Sequence, residues 1–400
     1  MHPDLRAIGA SIRRIRTAKG MTQAQLAAAI GKVGPRAISE RESGKTELRG
    51  SEVAALCSAL GCTLAELFGL EPSPIESMPK LYSRGNAATR KSVQSLVERA
   101  CRHMKLLKEI EEVLGEQPRS VVPFLGKNYP PKKSKHHMRE QAVRLAAETR
   151  RSLDIGAQPI AELRTLLESA GVVIADWHLP EGLSGFSLRH CGRPFIAVSP
   201  EEPERRKRFS LAHEFAHVLA DASEKVILTR NYAVERDGYS IATNVERRAD
   251  WFAGEFLMPE TMVRRFIGSR FDLLTGREDR LDAICEVADH FGVSTKAAAL
   301  TLAYQGILPW ADYHVLKDSL PTRPEQESTH IGRLNNFYVR WAGKLTASVR
   351  MLRLTVRAIT ADLITDSRAR ELLMTDQDTL SRFLKEYVDI RNAQAHARQL

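Results

Sequence analysis

The 400-residue sequence has no apolar run approaching the roughly 20 residues that a membrane-spanning helix needs, the longest comparable stretch being Ala170 to Ala175. Its N-terminus, MHPDLRAIGASIRRIR, is interrupted by charge and offers neither an unbroken apolar segment nor a small-residue cleavage site, so export is not expected. Cysteine is scarce: Cys57, Cys62, Cys101, Cys191 and Cys285 are an odd number with no metal-type Cys-x-x-Cys pair, which predicts reduced thiols in a cytoplasm. No internal repeat of fixed period is present, which excludes a solenoid or propeller. What is there is ordinary for a soluble globular protein, 43% hydrophobic and 27% charged, in a chain long enough for two or three domains.

Charge is the departure from the ordinary, with 59 Lys and Arg against 49 Asp and Glu, a net +10. Residues 1–138 hold 23 basic and 13 acidic side chains, whereas residues 139–400 hold 36 of each. The whole excess therefore belongs to the first third, as expected for a polyanion-binding module joined to something with another task.

Within residues 1–70 the pattern is a set of short helices. Leu5, Ile8, Ile12 and Ile15 recur on one face of a first helix that stops near Gly20. Thr22 to Gln25 is a capping box opening a second helix, which Gly31 ends. Pro35 suits the first position of a third helix, where its missing N–H has no partner to lose. Val53, Leu56 and Leu60 mark a fourth helix, and Thr63 to Glu66 caps a fifth with Leu67 and Phe68. A proline-rich hinge, EPSPIESMP, then precedes helical sequence through Leu96, Leu107 and Ile110, closed by the basic, proline-broken YPPKKSKHH. Residues 139–310 mix helical patterns (Ala142 to Ser152, Ile160 to Ala170, Arg205 to Leu219) with β-rich runs at Val172 to Ile174 and Phe195 to Val198. Residues 311–400 are helical, with Leu352, Val356, Ile359 and Leu363 on one face and Leu380, Phe383, Leu384, Tyr387 and Val388 on another.

Two helices joined by a tight turn, Thr22–Ile30 and Pro35–Arg41, form a helix-turn-helix pattern. The phrase TQAQLAAAIG…AISERESGK resembles the Cro/phage-repressor-like (XRE) helix-turn-helix family, with Arg41 standing where that family usually has an apolar or aromatic residue. The resemblance implies contacts with double-stranded operator DNA, Gln23 against backbone phosphate and Arg36, Ala37 and Ser39 at base edges, with Lys45 a further phosphate contact. Phosphate contacts position and base contacts specify, so Arg36 is expected to carry specificity and Lys45 salt dependence.

The segment RRKRFSLAHEFAHVLAD contains His213-Glu214-Phe215-Ala216-His217. Residues four apart share a helical face, so both imidazoles can reach one metal ion with Glu214 beside it to hold a water. Zinc suits neutral imidazole, and its binding brings the pKa of water towards about 7. Read alone, the segment also fits an apolar core helix with incidental histidines. A catalytic zinc needs a third protein ligand. Glu246 in VERRADWFAGEFLMP is the best candidate, although spacing alone leaves a surface carboxylate equally open, and Asp250 lies one turn later, placed to orient a ligand from behind. His178, His190, His290, His314, Tyr232 and Tyr239 are candidates for a proton donor or oxyanion partner, with nothing in the sequence to select among them. His136 and His137 read as solvated.

F-S-L-A-H-E-F-A-H followed by E-R-R-A-D-W-F-A-G-E-F-L-M-P resembles the ImmA/IrrE family of metallopeptidases, as do Gly185 to Ser187 and the PFIAVS strand. The resemblance implies metal binding by His213, His217 and Glu246, with Glu214 as general base, and a substrate that is a particular repressor or regulatory protein.

The expected architecture is multidomain and mainly α with one α+β domain. A five-helix helix-turn-helix domain (1–70) leads through a helical connector with a flexible basic linker (71–138) to a zincin-like metallopeptidase domain (139–310) and a helical C-terminal region (311–400). The expected function is that of a cytoplasmic, homodimeric DNA-binding regulator carrying a zinc endopeptidase that acts in stress or mobile-element control. The alternative is a repressor whose peptidase-like domain is a sensor.

Overall fold

The computed structural model describes residues 5–31, 34–46, 48, 50–60, 62, 67–68, 87–116, 125–126, 128–132, 134–156, 158–180, 183–190, 193–221, 227–230, 241–268, 276–321 and 333–397. They fall into two compact units, residues 1–98 and 99–400.

The first unit holds α1 (Leu5–Ala18), α2 (Gln23–Ile30), α3 (Pro35–Glu42) and α4 (Gly50–Leu60), and the start of α5 (Ala87–Val113). The Gln25 N–H donates to the Thr22 hydroxyl at 3.1 Å and the Thr22 N–H to the Gln25 side chain at 2.8 Å, closing the capping box. Gly31 ends α2 in the left-handed region at φ 78°, and Pro35 opens α3. Ile8, Ile12 and Ile15 of α1 meet Leu26, Ile38, Leu56 and Leu60 in one core. Gly9 is needed where α1 crosses the end of α3: a Cβ there would lie 2.5 Å from the Arg41 carbonyl oxygen. Arg41, the residue out of family pattern, is buried and pairs with Glu52 of α4 at 2.5 Å, so an ion pair takes the place of an apolar contact. Of the expected fifth helix, residues 63–66 lie outside the described residues.

The second unit is built on a four-stranded sheet ordered β1-β3-β2-β4, with β1 (Val173–Asp176), β2 (Leu183–His190), β3 (Arg193–Val198) and β4 (Ile227–Arg230). β1 runs parallel to β3, pairing Val173 with Phe195, while β2 is antiparallel to both β3 and β4. Two of these strands, β1 and β3, were legible as β-rich runs. β2 was not, because Ser, Gly and Arg interrupt its apolar alternation. Before the sheet come α6 (Lys135–Ser152) and α7 (Leu163–Ser169). After β3 comes α8 (Glu204–Ala220), which packs across β2 and β3 and is buried at every position from Leu211 to Ala220, as a helix apolar on all sides must be. α9 (Ile241–Leu257) lies against both α8 and α6, with Phe215 packed against the stacked rings of Phe252 and Phe256 at separations of 6.2 and 5.8 Å. Then follow α10 (Glu260–Ile267), α11 (Arg277–Phe291), α12 (Thr295–Tyr304) and α13 (Trp310–Leu316).

The C-terminal helices are α14 (Arg333–Leu345), α15 (Val349–Thr360), α16 (Asp366–Leu373) and α17 (Gln377–Ala397). They do not stand apart from the α+β part. Ser348 caps α15, bridges to Ala175 of β1, and meets buried His103 of α5 at 3.0 Å, while the Trp177 indole donates to the Thr346 carbonyl at 2.7 Å. Glu111 of α5 binds Arg193 of β3 through two bonds, 2.7 and 3.1 Å, and Arg350 of α15 at 2.8 Å.

Two expectations need correction. Leu363 falls beyond the end of α15 and is exposed, as is Val388 on α17, so the apolar faces are shorter than the periodicity implied. The basic stretch expected to be a flexible linker is tied down within 128–132: the Tyr129 ring is fully buried and its hydroxyl donates to Glu148 at 2.5 Å. Ser134 then caps α6, and His136 and His137 are exposed as expected.

Candidate metal centre and DNA-binding face

His213 and His217 project from one face of α8, and the packing of α9 against α8 brings Glu246 to them. The two Nε2 atoms lie 3.1 Å apart, and the Glu246 carboxylate is 3.4 Å from His213 Nε2 and 3.7 Å from His217 Nε2. The outer nitrogens are engaged by carboxylates: His213 Nδ1 with Asp250 at 2.8 Å, and His217 Nδ1 with Asp221 at 3.0 Å. An ionised carboxylate only accepts, so each ring donates its Nδ1–H outward and, when neutral, turns an Nε2 lone pair inward. Three acceptors therefore face one another at near-contact distance, an arrangement that a cation relieves. Donors held at about 2.0–2.1 Å around a tetrahedral ion stand about 3.3 Å from one another, so the observed spacing fits zinc.

The electrostatics point the same way. Burial opposes protonation of both rings, yet Asp250 and Glu246 hold His213 well above its ordinary value, and Glu246 and Asp221 raise His217 to about 9. Burial likewise works to raise Glu246, but the two imidazoles overcome it and hold the carboxyl well below the usual range. Positive charge is favoured between the three groups.

Glu214 is fully buried between α8 and the sheet. Room for its carboxylate exists because residue 185 on β2 is glycine: a Cβ at that position would lie 2.0 Å from Glu214 Oε1. The other polar candidates lie elsewhere. His178 pairs with Glu201 at the surface, His290 stacks on Phe266 at 4.0 Å, His314 lies against Trp310, and His190 ends β2. Among the described residues none of these four joins the donor group. Tyr232 and Tyr239 lie outside the described residues.

Residues that sequence reading missed are Asp221 and Arg248. The spacing His217-x-x-x-Asp221 was the available signal, since it places the carboxylate one turn further along the same face. Arg248 had none: it pairs with Asp221 from α9 and is 1% exposed, a position reached only through helix packing.

On the first unit, Arg36 at the start of α3 has 93% of its side chain exposed and lies 3.3 Å from Glu40. Ser39 and Lys45 are exposed and Ala37 is half-buried. Gln23 is more constrained than expected for a phosphate contact, because its amide donates to Glu42 at 2.8 Å. Glu42 also receives Arg16 through two bonds, 2.5 and 3.1 Å, and Arg16 reaches the Met21 carbonyl at 2.6 Å. Burial pushes the Glu42 carboxyl up, but Arg16 and Gln23 outweigh it and hold the group below its ordinary value.

A helix-turn-helix unit in the same chain as two histidines and a glutamate set for a metal defines a class: a DNA-binding protein with a metallopeptidase-like domain. Comparison with known families agrees. Residues 12–67 match the helix-turn-helix family model, and residues 168–303 match that of the IrrE N-terminal-like domain. No curated protein matches the chain. The chain thus joins a stretch similar to the helix-turn-helix family to one similar to the IrrE N-terminal-like domain, and among the described residues no helix is long and apolar enough to cross a membrane.

Proposed function

We propose that the chain is a cytoplasmic regulator that binds operator DNA as a homodimer and cleaves a specific repressor or regulatory protein by zinc-dependent peptide hydrolysis, in stress or mobile-element control. The observation that carries the reading is the convergence of His213, His217 and Glu246, on and against the helix that also bears Glu214, whose carboxylate is buried next to Gly185. Zinc held by those three residues supplies Lewis-acid polarisation of a peptide carbonyl and of the attacking water. Asp250 and Asp221 keep the two imidazoles in the tautomer that presents Nε2. Glu214 takes the proton of the water as it attacks and returns it to the leaving amine. Glu214→Gln is expected to retain zinc and lower cleavage by about 10²–10⁴-fold. Proteomic comparison of cells carrying the wild type and this variant, with metal analysis of both proteins, checks it; equal cleavage removes Glu214 from the mechanism.

The burial of Glu214 and His217 favours a second reading, in which the domain is latent or serves as a sensor for the repressor. Absence of any cleavage product in cells carrying the wild type, compared with cells lacking the protein, under any inducing condition would select it. For the DNA-binding unit, Arg36→Ala is expected to relax operator choice by about 1–3 kcal/mol. Lys45→Ala is expected to weaken binding uniformly and to reduce the salt slope by about 1. Gel shifts across a salt series test both, and an unchanged slope would remove Lys45 from the phosphate contacts.

A further inference from the structure

We propose that Arg248 is a positioning residue of the metal centre, acting on His217 through Asp221, and that Tyr129 and Gln141 hold Arg248 in place. The inference rests on the metal-centre reading above.

Asp221 is the C-cap residue of α8. A carboxylate there meets the negative end of the helix dipole, so the position is unfavourable unless a cation answers it. Arg248 does so from α9, pairing with Asp221 Oδ1 while Oδ2 accepts from His217 Nδ1. A guanidinium never gives up its proton at ordinary pH, so one oxygen of Asp221 always has a charged donor and the other stays an acceptor for the imidazole. That fixes the His217 tautomer: the proton sits on Nδ1 and the lone pair of Nε2 faces His213 and Glu246.

Arg248 is itself anchored by residues remote in sequence. Its second terminal nitrogen donates to the Tyr129 carbonyl at 2.6 Å and to Gln141 Oε1 at 3.0 Å. Tyr129 is pinned by its hydroxyl bond to Glu148 and by the Arg144 guanidinium 4.8 Å from its ring centroid. A few residues earlier, the Leu125 N–H caps the Leu219 carbonyl at the end of α8 at 2.7 Å. The same short stretch thus holds the C-terminus of the ligand helix and the arginine behind its second histidine. His213 is served differently, directly by Asp250, whose side chain is partly open to solvent.

The test is a double-mutant cycle on the full-length chain, read by zinc affinity against a chromophoric chelator and by the visible spectrum of the cobalt-substituted protein. Asp221→Asn can donate to Nδ1 and so favours the wrong tautomer. It is expected to weaken zinc binding about 10–100-fold with unchanged circular dichroism. Arg248→Met is expected to weaken it in the same direction, and the double variant should bind no worse than Asp221→Asn alone, because the arginine acts through the aspartate. Both single variants should shift the cobalt spectrum, and Arg248→Lys should recover part of the Arg248→Met loss. Zinc affinity of Asp221→Asn equal to wild type, or losses that add in the double variant, would overturn the inference. A wild-type chain that takes up neither zinc nor cobalt would overturn the metal-centre reading instead.

Discussion

Both units of this protein bury charge, and they do so in opposite ways. In the first, Glu42 takes two bonds from Arg16 and one from Gln23, so every charged atom of the cluster faces a partner of complementary kind. In the second, once the two rings are neutral, the polar atoms at the centre of the cluster are all acceptors: His213 Nε2, His217 Nε2 and the Glu246 carboxylate. The first cluster is complete as folded and serves to lock α1, α2 and α3 together. The second is a group that could hold a metal ion. Burial and ionisable residues alone do not separate a structural cluster from a functional one; the direction of the donors does.

The largest effect that breaks this contrast is on the closed cluster. Glu42→Ala leaves Arg16 without its partner and should destabilise the first unit by about 3–5 kcal/mol, seen as faster hydrogen exchange across residues 5–60. Undiminished protection there would mean that the pair does not hold the helices. Filling the open cluster should act in the other direction and in the other unit. Zinc at 100 times its dissociation constant should stabilise residues 204–257 by about 2.7 kcal/mol and leave residues 5–60 unchanged. That gain should depend on pH. The imidazoles of His213 and His217 are raised above their unfolded value, so without metal the cluster contributes stability below about pH 6.5 and loses it as pH rises through about 9. With metal the trend reverses, because protons compete for the same lone pairs, and the zinc-induced shift in melting temperature should shrink towards acid. A shift independent of pH would remove the imidazoles from the ligand set. The smallest effect is Thr22→Ala, which opens the capping box and should cost the first unit about 1 kcal/mol by denaturant titration, with no effect on zinc uptake.

Local chemistry made much of this legible beforehand. The Thr22–Gln25 box, Pro35 at the start of α3 and the glycine stops depend on neighbours a few residues away, and the structure has them as the sequence implied. The pairing of His213 with His217 follows from helical periodicity alone. Glu246 was harder, since nothing in its own surroundings separates a ligand from a surface carboxylate, and only the resemblance to a family selected it. β2 escaped notice for the opposite reason: its pattern is irregular because Gly185 serves Glu214, so a feature of the site erased the signal of the strand.

What the sequence determined by itself was the inventory and its local geometry: a basic helix-turn-helix at one end, and two imidazoles with a glutamate between them on one helix further along. Helix pitch and capping act over one or two turns and need no tertiary help. Only the tertiary structure decided that Glu246 joins the two imidazoles, that Gly185 makes space for Glu214, and that Tyr129, in a stretch that reads as linker, reaches His217 through Arg248 and Asp221. Those relations join residues tens of positions apart. They are set by how α8 packs against α9 and the sheet, and side-chain packing at that range leaves no period in the chain to be read.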